Sequence, residues 1–129
     1  MIGAYAGAAR SAAYTAVAAV TAEPQDLMKM GLDRARSFLL DAEEAIETGD
    51  RLLKAQALSS ASAIVEFLLG LSGSQPGTLS GCLAKVYHYA MVSILKGNAN
   101  DDPAAVAAAR DALDELAGTW RRIFPDPVR

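Results

Sequence analysis

Residues 24–48, PQDLMKMGLDRARSFLLDAEEAIET, are the stretch that decides the fold. Proline suits the first position of a helix, where its missing N–H would have no partner, and Gly49 with Asp50 predicts the helix end. Apolar residues recur inside the stretch at alternating spacings of four and three, which is typical of a bundle helix. The row consists of Met28, Leu32, Ala35, Leu39, Ala42 and Ile46, widened by Leu27, Gly31, Phe38 and Ala45. A helix with so broad an apolar side needs at least two neighbours.

Three further helical segments can supply those neighbours. The pattern predicts helix 2 at about 51–72, helix 3 at about 78–97 and helix 4 from Pro103 onwards. The turns between them are short, so consecutive helices should run antiparallel. The predicted fold class is therefore all-α, an antiparallel up-down-up-down four-helix bundle over residues 23–124 followed by a short tail, 125–129.

Single residues in these helices carry more local predictions. Thr78 is expected to be the N-cap of helix 3. Trp120 lies in the apolar row of helix 4 and is expected in the core, and Cys82 is expected to be a small packing residue. The apolar row of helix 4 comprises Val106, Ala109, Leu113, Leu116, Trp120 and Ile123.

The first 22 residues are rich in alanine and contain few large side chains. Small side chains bury little apolar area, so this segment is expected to be an N-terminal helical or irregular flap that docks loosely. It lacks a basic start, and Arg10 interrupts its apolar run, so we expect a retained segment rather than a secretory signal. We accordingly expect the protein in the cytoplasm.

Composition excludes several classes of function. A formal net charge of −3 argues against a nucleic-acid partner, because no basic patch is dense enough to follow phosphates. A single cysteine excludes a disulfide framework and suits a reducing compartment. Continuous apolar runs fall short of the roughly 20 residues of a membrane span, so we expect no membrane association.

Catalytic and metal-binding patterns are also missing from the sequence. A di-iron bundle requires paired Glu-x-x-His motifs, whereas His88 is the single histidine and Lys85 stands three residues before it. Cys82 and His88 are six residues apart on one helix and therefore point in different directions, which disfavours a zinc site. We expect no enzyme, no metal and no cofactor.

Six short motifs, in their order along the chain, resemble the FliS family of flagellar secretion chaperones. The resemblance covers about residues 20–124 and needs few gaps. The motifs are Thr21-Ala22-Glu23-Pro24 with Leu27, Met30, Asp33 and Ala35; Ile46-Glu47-Thr48-Gly49-Asp50; Gly77 with Leu79 and Leu83; Val86-Tyr87-His88-Tyr89; Asn98 with Asp102; and Thr119-Trp120 with Ile123. Ile2-Gly3-Ala4-Tyr5 also resembles an Ile-x-x-Tyr element near the N-terminus of some members.

The resemblance implies a cytoplasmic export chaperone. Such proteins bind the C-terminal segment of flagellin, prevent its premature polymerisation and assist its secretion, with the flagellar export apparatus as a further partner. A guest segment that is disordered before assembly would fold as it lays apolar anchors into grooves on the bundle. Residues 1–18 could cover such a groove in the absence of the guest.

Surplus apolar surface on the helices gives the candidate contacts, since such surface marks partner sites and a helix is the natural occupant of an interhelical groove. Helix phase selects a second row beside the core row, and the flap adds its large residues. The predicted partner-binding residues are Ile2, Tyr5, Tyr14, Leu58, Val65, Leu69, Tyr87, Met91 and Leu95. Two alternatives stay open. One is a structural or oligomerisation bundle that forms a homodimer through the extra apolar stripe, and the other is a helical-bundle enzyme or cofactor carrier.

Overall fold

Four α-helices make up the computed structural model, which describes residues 23–127. The helices are α1 (Pro24–Thr48), α2 (Arg51–Ser72), α3 (Gly77–Asn100) and α4 (Pro103–Ile123). No strand occurs within the described range, and the prediction of an all-α four-helix bundle is confirmed. The flap predicted for residues 1–22 lies outside the described residues.

The helix ends follow from local chemistry. Gly49 adopts a left-handed conformation with φ of 75° and closes α1, and the Asp50 carboxylate then accepts a hydrogen bond of 3.0 Å from the Leu53 N–H at the start of α2. Asp102 caps α4 in the same way, accepting a 3.0 Å hydrogen bond from the Ala104 N–H. Pro24 and Pro103 occupy first helical positions, as predicted. Each turn therefore satisfies backbone groups that a helix end leaves without partners.

The helices form a ring in which each packs on two others. α1 packs on α2 and α4, and α3 packs on the same two helices from the opposite side. The Lys54 ammonium donates to the Asn98 carbonyl oxygen at 3.3 Å, which joins the start of α2 to the end of α3. The Trp120 indole N–H donates to the Gln25 carbonyl oxygen at 2.9 Å, which joins the end of α4 to the start of α1. Neighbouring helices therefore run antiparallel.

The core runs the length of the ring and draws on all four helices. Trp120 is buried at the end of the core that adjoins the start of α1. The ring of Phe124 lies against it, with the two ring centroids 4.8 Å apart. Gly97 allows α4 to approach α3 closely, because a Cβ there would lie 2.5 Å from the Val106 methyl carbon. The largest fully buried side chains are Trp120, Tyr87, Met28, Leu32, Leu39, Leu68, Leu83, Leu113, Val65 and Val106.

Three local predictions are wrong. Thr78 is not the N-cap of α3: Pro76 holds the extended conformation, Gly77 takes a φ of 55° that suits glycine, and Thr78 already lies in the first turn. Cys82 is exposed rather than packed. Ile123 is also exposed, because α4 ends there and the buried residues of its last turns are Ala117 and Trp120.

One helix within the described residues, α2, is long and apolar enough to cross a membrane by length and composition. In the bundle it contributes Leu58, Val65 and Leu68 to the core, and core helices of globular proteins pass the same test. The geometry of α2 is therefore that of a bundle helix.

Candidate functional site

The helix α3 has apolar residues on two opposite sides. Leu83, Tyr87, Ala90 and Ile94 face the core and are buried. The opposite side, here called the α3 outer face, comprises the exposed residues Lys85, His88, Tyr89, Val92, Leu95 and Lys96. Their spacing of three and four places them on one side of the helix. A helix that buries one apolar side and exposes another is typical of a helix that receives a partner.

Exposure of large apolar side chains is concentrated on this face. Tyr89, Val92 and Leu95 keep 54%, 49% and 66% of their surface exposed within two turns of the helix. The cationic residues Lys85 and Lys96 stand at the two ends of this row. The α3 outer face is therefore an apolar patch bordered by positive charge.

A groove between α3 and α4 continues the patch. It has a volume of about 430 Å³. Its apolar lining comes from Val86 and Tyr89 on α3 and from Ala112 and Leu116 on α4. Lys85, Glu115 and Thr119 complete the rim. A groove with apolar walls and a polar rim fits the apolar stripe of a peptide helix.

The seam between α1 and α4, in contrast, is closed by ion pairs. Arg110 forms a two-pronged contact with Glu43, with donor–acceptor distances of 2.6 and 3.3 Å. This hydrogen bond raises the pKa of Arg110, so the guanidinium stays charged. Arg36 pairs with Asp114 across the same seam and with Asp33 on its own helix. An apolar guest docking here would have to displace paired charges, which disfavours this side as the site.

Arg121 extends this seam towards the end of α4. Its guanidinium lies 2.8 Å from the Asp33 carboxylate, at a mostly exposed position. Glu43 and Asp33 on α1 are therefore each paired with an arginine that α4 brings opposite them. Tertiary packing converts these carboxylates into partners of the α1–α4 seam.

A second pocket lies at the end of the bundle where the α1–α2 and α3–α4 turns meet. Lys54 pairs there with Asp101, which holds a left-handed conformation with φ of 48°. The hydrogen bond from Lys54 lowers the pKa of the Asp101 carboxyl group. The charges of this pocket neutralise each other, so it has the features of a structural junction rather than of a binding site.

Of the predicted contact residues, three are in the core. Leu58, Val65 and Tyr87 are buried, so in this bundle they present no surface to a partner, contrary to the placement inferred from helix phase. On α3, Tyr87 faces the core beside Leu83 and Ala90. Val86, the residue before it, lines the α3–α4 groove instead. A helix that is apolar on several sides leaves its rotation undetermined by periodicity alone.

The remaining predicted contacts are distributed differently. Leu95 is exposed on the α3 outer face. Leu69 and Met91 are half-buried and pack against the core from its margin. Ile2, Tyr5 and Tyr14 lie outside the described residues. The structure thus brings one predicted residue, Leu95, into the exposed patch.

Sequence reasoning missed most of the patch. Val86, Tyr89, Val92, Ala112 and Leu116 were not among the predicted contacts, although two sequence signals favour them. One signal is that α3 is apolar on more sides than a core helix needs, and the other is that α3 contains no aspartate or glutamate. The second signal distinguishes α3 from α1, α2 and α4, each of which contains acidic residues.

Tyr87 carries a further feature of the site region. Its hydroxyl is buried and has no hydrogen-bond partner among the described residues. Burial raises the pKa of this phenol, so the side chain remains neutral. A buried hydroxyl without a hydrogen-bond partner destabilises the folded state, so this position of α3 costs the bundle stability.

The described part of the chain contains no cluster of metal-binding side chains. No group of three or more histidine, cysteine or acidic side chains within residues 23–127 is close enough to hold a metal ion. His88 and Cys82 are both exposed on α3. The arrangement within this range supports binding through apolar contact and charge.

Comparison with known proteins places the chain among flagellar proteins. The family model described as "Flagellar protein FliS" matches residues 6–127. The chain is also similar to the flagellar secretion chaperone FliS of Salmonella typhimurium, with 32% identity over 110 residues, covering 84% of this chain and 82% of the relative. The family-model match includes α1 to α4, so the patch and the groove lie within the residues it matches.

Proposed function

The chain belongs to the FliS family of flagellar secretion chaperones, and from this premise we propose that its guest is the C-terminal segment of flagellin. The family gives it a chaperone role in flagellar export, and this is a family of chaperones rather than of enzymes. In the proposed function the chain binds that segment in the cytoplasm, prevents premature polymerisation and assists delivery to the flagellar export apparatus.

One observation carries this proposal, namely the exposed apolar patch on α3 beside the α3–α4 groove. Tyr89, Val92 and Leu95 expose apolar area that the bundle leaves uncovered, and the groove offers an adjoining apolar cleft. Burial of a large apolar side chain contributes about 1.5–3 kcal/mol, so two or three anchors suffice to order a short helix. The guest helix would lie along α3 with anchors in the groove.

The location of the guest follows from comparing the seams of the bundle. The α1–α4 seam is occupied by paired charges such as Glu43 and Arg110, whereas the α3–α4 groove has apolar walls. We therefore place the guest contacts at Val86, Tyr89, Val92 and Leu116, with Leu95 retained from the sequence prediction. Leu69 and Met91 form the margin of this surface on the α2 side.

The N-terminal segment has a proposed part in the same function. We propose that residues 1–18 cover the groove when no guest is bound, with Ile2, Tyr5 and Tyr14 as the covering contacts. The support is the composition of the segment, in which these large apolar side chains stand among alanines. Deletion of residues 1–18 should leave helicity and cooperative unfolding intact and should strengthen guest binding. Loss of the folded bundle would show instead that the segment is part of the core.

A matched pair of leucines tests the guest site. Leu95 and Leu52 are exposed to 66% and 69%, but Leu95 lies on the α3 outer face and Leu52 in the first turn of α2. Leu95→Ser should weaken binding of a flagellin C-terminal peptide roughly tenfold in isothermal titration calorimetry, because it removes about 1.4 kcal/mol of apolar contact. Leu52→Ser should leave the affinity unchanged.

The possible outcomes separate the alternatives. Equal effects of the two substitutions would place the guest elsewhere on the bundle. A protein that binds no flagellin peptide, but sediments as a tight homodimer that Leu95→Ser dissociates, would favour the oligomerisation bundle. A monomer whose affinity for the peptide falls roughly tenfold with Leu95→Ser and stays unchanged with Leu52→Ser supports the chaperone site.

A further inference from the structure

The charge of the α3 outer face differs in sign from the charge of the whole chain. The chain has a formal net charge of −3, yet α3 contains Lys85, Lys96 and no aspartate or glutamate. The carboxylates are concentrated in α1, which contains Asp33, Glu43 and four further acidic residues. The apolar patch therefore lies in the most positive part of an acidic protein.

The two lysines are not neutralised by the bundle. Within residues 23–127, neither Lys85 nor Lys96 forms an ion pair, whereas Lys29, Lys54 and Arg110 each contact a carboxylate. Glu115 lines the opposite wall of the groove from Lys85 without pairing to it. His88 adds a third basic side chain to the same exposed face. Unpaired cations beside exposed apolar residues indicate that the complementary charge comes from the partner.

From this juxtaposition we propose that the α3 outer face selects an acidic amphipathic helix, in which carboxylates border the apolar stripe at both ends. The inference rests on the proposed function and specifies the chemistry of the guest. Lys85 and Lys96 are eleven positions apart, which corresponds to about 16 Å along the helix axis. The guest carries acidic residues at a similar separation, and its apolar anchors between them meet Tyr89, Val92 and Leu95.

The physical role of these charges is selection and orientation rather than overall affinity. An exposed ion pair contributes about 0.2–1 kcal/mol, which is less than one buried apolar anchor. A guest with lysines in place of the carboxylates would meet like charges at both ends of the patch. The difference in binding free energy between the two guests therefore includes both the attraction of the acidic guest and the repulsion of the basic one, and it is larger than either contribution alone. Charge thereby discriminates among apolar helices that the groove alone would accept.

The experiment uses the full chain and two synthetic helical peptides. Both carry the same leucine and alanine stripe, and they differ only in having glutamate or lysine at the two bordering positions. At low salt the acidic peptide should bind roughly tenfold more tightly than the basic one, corresponding to two exposed pairs. The difference should shrink as salt is raised towards about 1 M, where the screening length is about 3 Å.

A matched charge reversal assigns the effect to the face. Lys96→Glu should reduce the preference for the acidic peptide. Arg34→Glu is the control, because it changes the net charge of the protein by the same amount on α1, where Arg34 lies over the ring of Phe38. This control should leave the preference intact. Equal affinities for the two peptides, or equal effects of the two reversals, would overturn the proposal. So would binding to vesicles of anionic lipid with binding to neither peptide.

A titration with the flagellin C-terminal peptide runs in parallel and keeps the two proposals separate. Discrimination between the synthetic peptides without binding of the flagellin peptide would remove the proposed guest and leave the selection for acidic helices standing. Binding of the flagellin peptide with no response to salt or to Lys96→Glu would support the proposed function and overturn the charge inference.

Discussion

Replacement of Trp120 by alanine tests how the end of α4 is held against the start of α1. The indole is 1% exposed, its N–H donates to the Gln25 carbonyl oxygen at 2.9 Å, and its ring lies 4.8 Å from that of Phe124. Truncation of a buried tryptophan to alanine costs about 3–5 kcal/mol, a range that contains the lost transfer energy and the cavity. The lost hydrogen bond and aromatic contact place Trp120→Ala in the upper part of that range.

The expected loss is a large fraction of total stability. A domain of this size has a free energy of unfolding of about 5–15 kcal/mol, so at the lower end of that range Trp120→Ala leaves little folded protein. Trp120→Phe keeps much of the apolar volume and removes the indole N–H, so we expect a loss of about 1–2 kcal/mol. That variant remains measurable even where the alanine variant unfolds.

Urea unfolding followed by far-ultraviolet circular dichroism is the assay. Circular dichroism is required because Trp120 is the single tryptophan and its fluorescence is lost in the variants. Ile123→Ala is the control, since Ile123 is exposed on the next turn of α4 and surface substitutions usually stay within about 0.5 kcal/mol. A loss below about 1 kcal/mol for Trp120→Ala, or a loss equal to that of Ile123→Ala, would refute the core placement.

Two further substitutions test the packing of α3. Tyr87→Phe should stabilise the bundle by about 1–3 kcal/mol in urea unfolding, because it removes a buried hydroxyl without a partner in the described range. Burial raises the pKa of Tyr87 because it disfavours the ionised phenol, so above about pH 10 the unfolded chain loses this proton while the folded bundle retains it, and stability falls as pH rises. Tyr87→Phe removes this dependence and should resist alkaline unfolding; equal alkaline midpoints would contradict this. Gly97→Ala should destabilise the bundle by about 1–2 kcal/mol in urea unfolding, because its Cβ would clash with Val106. Its control Gly81→Ala has open space around it and should stabilise by up to about 1 kcal/mol; equal changes in the two variants would show that α3 and α4 can separate at Gly97 without cost.

Helix content and order were accessible from the sequence because they depend on local signals. The start of α1 at Pro24, its end at Thr48 and the cap at Asp102 follow from the chemistry of single residues and their immediate neighbours. Antiparallel packing follows from the shortness of the Gly49-Asp50 turn. The core position of Trp120 is confirmed because the apolar row of α4 is narrow, with charged residues on its other sides.

The candidate site was not accessible in the same way. On α3 the sequence places apolar residues on several sides, and only packing against α2 and α4 decides that Tyr87 turns inward while Tyr89 and Val92 remain outside. The pairing of Glu43 with Arg110 likewise depends on α4 lying beside α1. Periodicity fixes which residues share a side of a helix, but the rotation of that helix in the bundle depends on contacts between residues far apart in the chain. The sequence by itself determined a four-helix bundle with an apolar surplus, and the tertiary structure alone decided on which surface that surplus lies.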